Sequence, residues 1–534
     1  MRSTGIMLFV LVGLTLGRVI LVPDSAATIQ TGLGLARSGD TVLVKPGVYA
    51  EQIVWPATDG IKLYSTDGPE STVVDGQYAG TCLTMSFSGL TRETEVRGFT
   101  FKNGYSAGGG AAGISCAGSA TIRGNRVTRC RGVGMYLSSY SSGFSPLVIG
   151  NEIDGCVKEI ENWNYGAGLY ISAGPGSYPE ICYNYIHHDT LRNSARNYGA
   201  GVFCDADALI YQNTIAANVA CSDTGTACRA YGGGIFVDSD QQPVIFNNLI
   251  VNNRCATDAW KYGAGIRLYL HCRPIIINNT IVGNVCEGPH MWSNGGGLYS
   301  DMRCTTYVKN NVFANNQATS GSAIYNYTSS QNGEVISRYN DYYNNTLVGC
   351  SMGPGDITQD PLFVSGRLGE YYLSQTAAGQ PVQSPCVDAG DTLDMKTPLN
   401  LDSLLRSWTT RTDSVLDVGV LDMGYHYPTN PMVGQVERGL MPCTLHHALE
   451  VCPNPFRSRT AIQVPATAGC PELRIYSSDG RLVRSFSVPN VERPAYVALW
   501  DGLDNLGQPV AAGVYYCSLA DSGHGPALPV LRLR

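Results

Sequence analysis

The sequence has little charge and no surplus of basic residues. Only 15% of its 534 residues are charged, and 36 Lys and Arg stand against 43 Asp and Glu, which gives a formal net charge of −7. Proteins that bind nucleic acid through its phosphates need a basic surplus, so this class is excluded. Global disorder is excluded too, because disordered chains have few aromatic residues and this one has 31 Tyr.

Other features are also missing. None of the 18 Cys forms a C-x-x-C pair, which argues against a structural zinc site. No phosphate-binding loop of the Walker type occurs. Beyond the N-terminus, no apolar run approaches the roughly 20 residues that a membrane-spanning helix needs. The residue in surplus is Gly, with 62 occurrences, or about 12% against a usual 7%.

The first 17 residues predict a signal peptide. Arg2 supplies the positive charge, 6–16 is an apolar run, and the small residues Thr15 and Gly17 suit cleavage before Arg18. A second cleavage option lies after 26 or 27. We therefore expect a secreted or outer-surface protein without a transmembrane segment in the mature chain, and export permits disulfides.

One motif recurs along the middle of the chain. It reads YGAGL, YGAGV, YGGGI, YGAGI and NGGGL at residues 165–169, 198–202, 231–235, 262–266 and 294–298, in steps of 33, 33, 31 and 32 residues. A second segment, with a central Asn, accompanies it in each period. The aligned residues are Asn125, Asn151, Asn184, Asn213, Asn248, Asn279, Asn311 and Asn340.

Each period holds short segments in which apolar and polar residues alternate, and it leaves no room for a crossover helix. Such alternation predicts half-buried strands, and hence an all-β fold. Short strands that recur with one period predict a solenoid, in which each repeat buries its apolar face against its neighbours. We expect the Asn side chains to pair from coil to coil, since an amide both donates and accepts hydrogen bonds.

The chain resembles the right-handed parallel β-helix proteins of the pectin-lyase-like class. The resemblance rests on ATIQTGLGLARSGDTVLVKPGVYAEQI (27–53), VVDGQ (73–77), SPCVDAGD (384–391) and DVGVLDMGYHY (417–427). It implies a capping helix, then a right-handed parallel β-helix solenoid, over roughly 18–430. It does not imply one activity, because many chemistries and some structural proteins share this fold.

A separate module follows a polar linker. Segments VCPNPF (451–456), LRIYSSDGRLVR (473–484), LWDGLDNLGQPV (499–510) and AAGVYYCSL (511–519) predict short strands in a small β-sandwich. The module resembles the Ig-like C-terminal domains of bacterial secreted proteins, of the flagellar hook-cap and the type IX secretion sorting type. That resemblance implies secretion or cell-envelope machinery as a partner. A structural cap or spacer is the alternative, and the ending PVLRLR lacks the Lys common in the sorting type.

The sequence thus divides into six parts. They are a signal peptide (1–17), an N-terminal cap with the first coils (18–105), β-helix repeats (106–345), C-terminal coils with a closing region (346–430), a linker (431–447) and the Ig-like module (448–534). A length of 534 residues would suit three or four ordinary domains, so the repeat changes that expectation to one solenoid and one module.

The repeat register predicts three disulfides between successive coils. The pairs are Cys130–Cys156, Cys255–Cys286 and Cys272–Cys304, whose members lie at equal distances from an aligned Asn or from the Gly motif. Stacked strands are about 4.8 Å apart, which suits the roughly 4.4–6.8 Å between the Cα atoms of a disulfide. The alternative is that some are buried free thiols, which fits Cys204 better.

Residues after each Gly motif alternate between the interior and one outer face. Those predicted to point inward are Leu169, Val202, Ile235, Ile266 and Leu298. Those predicted to form an outward aromatic column are Tyr136, Tyr170, Phe203, Phe236, Tyr299 and Tyr325, with Arg267 set into it. Two residues further on, a mostly acidic column follows, made of Ser172, Asp205, Asp238, Tyr269 and Asp301, with Asp207, Asp240 and His271 near the next turn.

Rows of aromatic rings suit sugar rings, whose C–H faces stack on them. We therefore predict polysaccharide binding on this face, by Tyr136, Tyr170, Phe203, Phe236, Tyr269, Tyr299 and Tyr325. Asp205 and Asp238 are candidate Ca²⁺ ligands. If the chain is an enzyme, we expect a polysaccharide lyase or glycoside hydrolase that uses Asp205, Asp238, Arg267 and Asp301. No paired catalytic signature stands out, which favours a binding role, with an adhesin or structural surface protein as the further alternative.

His187, His188 and Asp189 form a second cluster. A metal-binding or acid–base role is one interpretation, and a solvated turn is the other. The register places Asp154 and Ala216 beside His187 on the neighbouring coils.

Overall fold

The computed structural model describes most of the chain. The described residues are 17–160, 162–221, 228–288, 292–328, 333–392, 401–429, 450–452, 460–465, 472–477, 481–487, 495–519 and 528–532. Apart from Gly17, the predicted signal peptide lies outside these residues, and so does the predicted linker. One helix, Ile29–Leu35, precedes most of the strands, as expected of a capping helix.

Three parallel sheets run along the solenoid. Within the described residues they hold 12, 11 and 11 strands, and successive coils contribute to each sheet in turn. Sheet 1 consists of Val19–Val22, Thr41–Val44, Lys62–Ser65, Glu95–Arg97, Thr121–Arg123, Leu147–Ile149, Glu180–Cys182, Leu209–Tyr211, Val244–Phe246, Ile275–Ile277, Thr305–Lys309 and Glu334–Arg338. Sheet 2 consists of Gly47–Tyr49, Thr72–Asp75, Thr100–Lys102, Arg126–Thr128, Glu152–Asp154, Tyr185–His187, Thr214–Ala216, Leu249–Val251, Thr280–Val282, Val312–Ala314 and Asp341–Tyr343. Sheet 3 consists of Ile53–Val54, Leu83–Met85, Ala111–Cys116, Val133–Ser139, Leu169–Ala173, Val202–Asp205, Ile235–Val237, Ile266–Leu268, Leu298–Ser300, Ile324–Asn326 and Leu347–Val348.

The interior of the solenoid is apolar. The five residues predicted to point inward after the Gly motifs are all fully buried and belong to one continuous core. They stack in register on successive strands of sheet 3. Burying an aliphatic side chain of this size contributes roughly 1.5–3 kcal/mol, so each coil of this stack adds to the stability of the solenoid. The predicted fold class is confirmed.

The aligned Asn residues form a buried ladder, as predicted. Asn213 donates from Nδ2 to Asn248 Oδ1 at 3.0 Å, and its backbone N–H donates to the same oxygen at 3.0 Å. Its Nδ2 also donates to the Ile181 carbonyl oxygen at 2.9 Å. A second ladder, which the sequence did not predict, joins Asn218, Asn253, Asn284, Asn316 and Asn345.

The Gly motif turns the chain sharply before each strand of sheet 3. Gly232 has a φ of +65°, a conformation in which a Cβ would lie 2.6 Å from the carbonyl oxygen of Ile235. A Cβ on Gly234 would lie 2.6 Å from the carbonyl oxygen of Gly265 on the next coil. The first glycine is therefore required by its backbone conformation and the third by the close approach of two coils.

Five coils carry an extra excursion between sheets 2 and 3, which we call the lobe. Its first sheet consists of Val157–Glu159, Thr190–Arg192, Val219–Ala220, Arg254–Ala256 and Val285–Glu287. Its second sheet consists of Trp163–Tyr165, Arg196–Tyr198, Arg229–Tyr231, Lys261–Tyr262 and Ser293–Asn294. The lobe core is small, made of one Leu, five Ala and four Cys. The sequence did not predict the lobe, because strands of two or three residues show too little alternation.

The closing region predicted at 346–430 lies over the outside of the solenoid. Its elements are Phe363–Gly366, Gly369–Leu373, Thr376–Ala378, Leu401–Leu405, Trp408–Thr409 and Tyr427–Pro428. Trp408 packs on outward apolar residues of sheet 1, such as Phe246, and Tyr427 belongs to a cluster with outward residues of sheet 2. Asn247 Nδ2 donates to the His426 carbonyl oxygen at 2.9 Å. Sheets 1 and 2 are thus covered over several coils, whereas sheet 3 faces the lobe.

The C-terminal module folds as two antiparallel sheets, as predicted. One consists of Glu450–Cys452, Thr460–Pro465 and Ala495–Trp500, and the other of Leu482–Ser487, Glu472–Ser477, Gly513–Leu519 and Leu528–Arg532. Ile462 and Trp500 of the first sheet share one buried core with Leu473, Cys517 and Val530 of the second.

The predicted disulfides are not formed in the structure. Members of each predicted pair do lie on adjacent coils, and Cys255 and Cys286 are direct register partners. All six are nevertheless buried free thiols, which corrects the prediction in favour of small apolar packing residues. Among the described residues the structure contains one disulfide, Cys221–Cys228 in the lobe, which was not predicted.

Candidate functional site

The outward column of sheet 3 has the predicted register. Tyr136, Tyr170, Phe203, Phe236, Arg267, Tyr299 and Tyr325 are aligned on successive strands. Ring centroids of Tyr136 and Tyr170 are 4.5 Å apart, and those of Tyr299 and Tyr325 are 5.1 Å apart. Aromatic pairs of this kind contribute about 0.5–1.5 kcal/mol beyond their burial.

A second aromatic column, on the lobe, covers the middle of the first. It consists of Tyr165, Tyr198, Tyr231 and Tyr262, and Tyr165 meets Phe203 edge-on with 4.9 Å between centroids. Phe203 and Phe236 are each 2% exposed, and Tyr299 is 4% exposed. These three side chains cannot stack on a sugar ring, so their predicted binding role is wrong. The half-buried members of the predicted set are Tyr136, Tyr170, Tyr269 and Tyr325.

Arg267 is buried between the two columns. Its guanidinium carbon lies 4.0 Å from the ring centroid of Tyr299, and its Nη2 donates to Asp301 Oδ2. Its Nε and Nη1 have no hydrogen-bond partner, and the Asp301 carboxylate together with the neighbouring ring faces offsets its charge. Burial lowers the pKa of Arg267 and the Asp301 carboxylate raises it, with a net upward shift. Both side chains are buried, which corrects their predicted catalytic role, because neither is open to a substrate.

Asp205 and Asp238 lie half-buried at the edge of sheet 3. Asp205 accepts hydrogen bonds from Ser172 Oγ at 2.8 Å and from Gln241 Nε2 at 3.0 Å. Asp238 accepts from the backbone N–H of Ser239 at 2.8 Å. Burial, with the nearby carboxylates of Asp205 and Asp240, raises the pKa of Asp238. Calcium takes six to eight oxygen ligands, and these two carboxylates supply only part of such a set, so a Ca²⁺ role here stays a prediction.

The lobe presents a third column, which the sequence did not predict. Backbone pairing aligns Trp163, Arg196, Arg229, Trp260 and Trp292 on successive coils. The guanidinium of Arg229 lies 3.9 Å from the ring centroid of Trp260, and that of Arg196 lies 5.1 Å from that of Trp163. The three Trp are 38–50% exposed. Each member stands two residues before the first position of a Gly motif, which is the sequence signal that could have found them.

These columns define a surface that we call the aromatic corner, where the lobe meets sheet 3. It comprises the Trp and Arg column, the half-buried lobe residues Tyr165 and Tyr262, and Tyr170, Asp205, Asp238 and Tyr269 of sheet 3. Rings of the lobe Tyr column touch rings of the sheet 3 column across the Gly turn. These two columns therefore lie on the inner side of the bend that the Gly turn makes. The corner offers exposed ring faces, guanidinium donors and carboxylate acceptors on several coils.

The cluster predicted at His187 is divided by the fold. Asp189 is fully buried, and its Oδ1 accepts from the Cys156 N–H at 2.8 Å. His187 instead faces Glu152 and Asp154, and these three offer ligand atoms within 4.8 Å of one another. Arg126 already pairs with Asp154 at 2.9 Å, which supplies the positive charge that these carboxylates need.

The loop 104–113 reads GYSAGGGAAG and matches both a nucleophile-elbow pattern and a dinucleotide-binding pattern. Both motifs require a helix directly after the loop. Here the strand Ala111–Cys116 follows, and Ser106 Oγ accepts from the Gly110 N–H at 2.9 Å in a turn. The matches are therefore accidents of a Gly-rich turn.

Comparisons with known proteins agree with this architecture. Residues 112–300 match the family model of the right-handed beta helix region, and residues 457–525 match that of the FlgD Ig-like domain. The chain is a right-handed parallel β-helix protein with a C-terminal Ig-like domain. A comparison with curated proteins gives no match.

Several solved structures are similar to this β-helix protein. Pectate lyase Pel9A is 14% identical with a TM-score of 0.42, and the match covers 73% of this chain and 95% of that one. The PL6 family alginate lyase AlyGC is 13% identical with a TM-score of 0.35, covering 72% and 59%. The tailspike gp49 from Acinetobacter baumannii bacteriophage Fri1, a capsular polysaccharide depolymerase, is 10% identical with a TM-score of 0.28, covering 96% and 81%. At these identities the likeness concerns the fold alone. In the part of the chain that the structure describes, no helix has the length and apolarity to span a membrane.

Proposed function

We propose that this β-helix protein binds polysaccharide in the aromatic corner. The observation that carries the proposal is the column of exposed Trp and half-buried Arg side chains, which repeats coil by coil on the lobe. Sugar rings stack on exposed aromatic faces, and a polymer of repeating units suits a surface that repeats along one axis. Asp238 supplies an acceptor, and the two Arg supply donors, for hydroxyl groups.

The proposed role is binding without catalysis. Two of the four residues considered as catalytic, Arg267 and Asp301, are buried against each other. Asp205 has both oxygens engaged by Ser172 and Gln241. The predicted signal peptide and the Ig-like module support an extracellular location, with secretion or cell-envelope machinery as the partner of that module.

Affinity electrophoresis against a panel of neutral and acidic polysaccharides tests the proposal. We expect retardation by at least one polymer, and Trp260→Ala should weaken it about five- to tenfold, the effect of losing one stacking contact of about 1 kcal/mol. Tyr178→Ala removes an even more exposed aromatic residue outside the corner, and this control should bind like the wild type.

Two results would overturn the proposal: no binding to any polymer, or equal loss with Trp260→Ala and Tyr178→Ala. The same mixtures, followed for reducing ends and for unsaturated products by absorbance, test the role without catalysis. A signal that Asp238→Asn abolishes would establish a hydrolase or lyase instead.

A further inference from the structure

Asp240, His271 and Arg303 form a row at the turn between sheets 3 and 1. They occupy one position on three successive coils, with φ values of +64°, +61° and +62°. The Asp240 N–H donates to the Leu270 carbonyl oxygen at 3.0 Å, and the His271 N–H donates to that of Met302 at 3.3 Å. This stacking brings the three side chains together, although they are about 30 residues apart in sequence.

The row lines an open hollow together with Gln242 and Arg273. The hollow has a volume of about 480 Å³. Two guanidinium groups and one carboxylate give its lining a net charge of +1 when His271 is neutral, in a chain whose net charge is −7. The nearby carboxylates of Asp207 and Asp238 are engaged by the backbone N–H groups of Gln242 and Ser239. The two guanidinium groups, Arg273 and Arg303, are therefore the charged donors that an anion in the hollow would meet.

His271 contacts both Arg303 and Asp240. Its Nε2 lies 3.2 Å from Arg303 Nη1, and because a guanidinium can only donate, Nε2 must accept. The ring proton is then on Nδ1, which lies 3.2 Å from Asp240 Oδ1. One N–H of Arg303 thus donates to the imidazole, and the same N–H could donate to an anion instead.

We propose that this hollow binds an oxyanion group, a carboxylate, sulfate or phosphate, and that His271 takes up a proton as it binds. An oxyanion between Arg273 and Arg303 draws the Arg303 N–H away from Nε2. The freed Nε2 takes up a proton from the acid form of the buffer or from hydronium, and the Nε2–H so formed donates a charge-assisted hydrogen bond to the anion. Asp240 stabilises the imidazolium that forms. Binding is therefore tighter at lower pH, and it does not depend on polysaccharide binding in the aromatic corner.

Isothermal titration of the full chain with sodium sulfate tests this proposal, at constant ionic strength and in buffers of different ionisation enthalpy. We expect binding at least about fivefold tighter near pH 5.5 than near pH 8, with net proton uptake between these values. Arg273→Ala and Arg303→Ala should each weaken it about tenfold, the effect of one charge-assisted hydrogen bond. His271→Gln should retain sulfate binding and lose its pH dependence. Arg338→Ala, an exposed guanidinium on sheet 1, serves as the matched control and should change nothing.

Parallel titrations with acetate and inorganic phosphate distinguish a carboxylate from a tetrahedral oxyanion as the preferred group. Binding of any of the three that depends on Arg303 and on pH supports the proposal. It is overturned if none of the three binds, if the affinity is the same at both pH values, or if Arg338→Ala weakens binding as much as Arg303→Ala does.

Discussion

Tyr198 lies edge-on over Phe236, with 5.0 Å between ring centroids and 74° between ring planes. Tyr198 belongs to the lobe and Phe236 to sheet 3, so this contact closes the bend at the Gly motif. The middle of the aromatic column of sheet 3 is consequently buried and forms a second core between sheet 3 and the lobe. What a ligand can reach is the outer column of the lobe, represented by Trp260.

The aromatic column of sheet 3 and the Trp and Arg column of the lobe should therefore respond differently to mutation. Phe236→Ala removes a ring packed between neighbours on two sheets, and we expect it to lower the free energy of unfolding by about 3–5 kcal/mol. Trp260→Ala removes an exposed ring and should change stability by less than about 1 kcal/mol while weakening polysaccharide binding. Thermal melting combined with affinity electrophoresis checks both. An unchanged melting temperature for Phe236→Ala would contradict the burial described here.

The coil repeat could be predicted because its signals occupy one position in every coil. Asn213 and Asn248 are found at the same place in their segments, and a ladder of amides has one arrangement that satisfies every donor and acceptor. The lobe could not be predicted in this way. Its strands are two or three residues long, and their core is mainly Ala and Cys, which the sequence alone does not distinguish from a loop.

The Asn ladder should be a large contributor to stability. Asn248→Ala leaves the Asn213 N–H and the Ile210 carbonyl oxygen without their present side-chain partners in the interior. Each buried group so orphaned costs about 1–3 kcal/mol, so we expect a loss of at least about 2 kcal/mol. Asn315→Gly changes an exposed Asn directly after the strand Val312–Ala314, at a φ of +53° that Gly adopts freely, and should cost far less. Denaturant unfolding measures the free energy of unfolding of both variants. Equal losses in the two variants would argue against a large contribution of the Asn ladder to stability.

The lobe disulfide should stabilise its surroundings. Cys221 and Cys228 are 7 residues apart, and cross-links closing loops of this size contribute about 2–3 kcal/mol. We expect Cys228→Ser to lower the melting temperature and to increase proteolysis within the lobe. A peptide map without reductant should recover the Cys221–Cys228 link. The same map tests the three pairs predicted from the register, since finding Cys255–Cys286, Cys272–Cys304 or Cys130–Cys156 linked would restore that prediction.

Arg267 shows which features of the site can be predicted from the sequence and which cannot. Its place in the outward column follows from counting residues after the Gly motif, and the register confirms it. Its burial depends on Tyr262 and the other lobe residues, which come from a separate excursion of the chain. The covering of sheets 1 and 2 by Trp408 and Tyr427 is equally remote in sequence from the strands it protects. The column to which a residue belongs can be predicted from the neighbouring sequence. The exposure of its side chain cannot, because it depends on residues that are distant in the sequence.

Asp189 occupies a position where an Asn would suit the second ladder better. Its N–H donates to Asn218 Oδ1 at 3.0 Å, as the Asn218 N–H donates to Asn253 Oδ1 at 3.1 Å. Its Oδ2, however, is buried without a hydrogen-bond partner, and burial raises the pKa of Asp189 well above its ordinary value. An amide at 189 could donate to the Ile153 carbonyl oxygen, as Asn218 Nδ2 donates to that of Ile186, the register partner of Ile153.

Asp189→Asn should therefore stabilise the protein, by about 1–3 kcal/mol at neutral pH, because it removes a buried group without a partner. The sign of the pH dependence follows from the raised pKa. Between the carboxyl pKa of the unfolded chain, about 3.9, and the higher pKa of the folded state, the folded state holds more protons, so wild-type stability falls as pH rises through that window. The advantage of the variant should be smallest near pH 4 and grow with pH.

The reciprocal variant Asn218→Asp should lose stability with the same pH dependence. Melting curves of the three proteins from acidic to mildly basic pH measure this difference. An advantage of Asp189→Asn over the wild type that is no larger at neutral pH than at pH 4 would show that the charge of Asp189 does not destabilise the folded state.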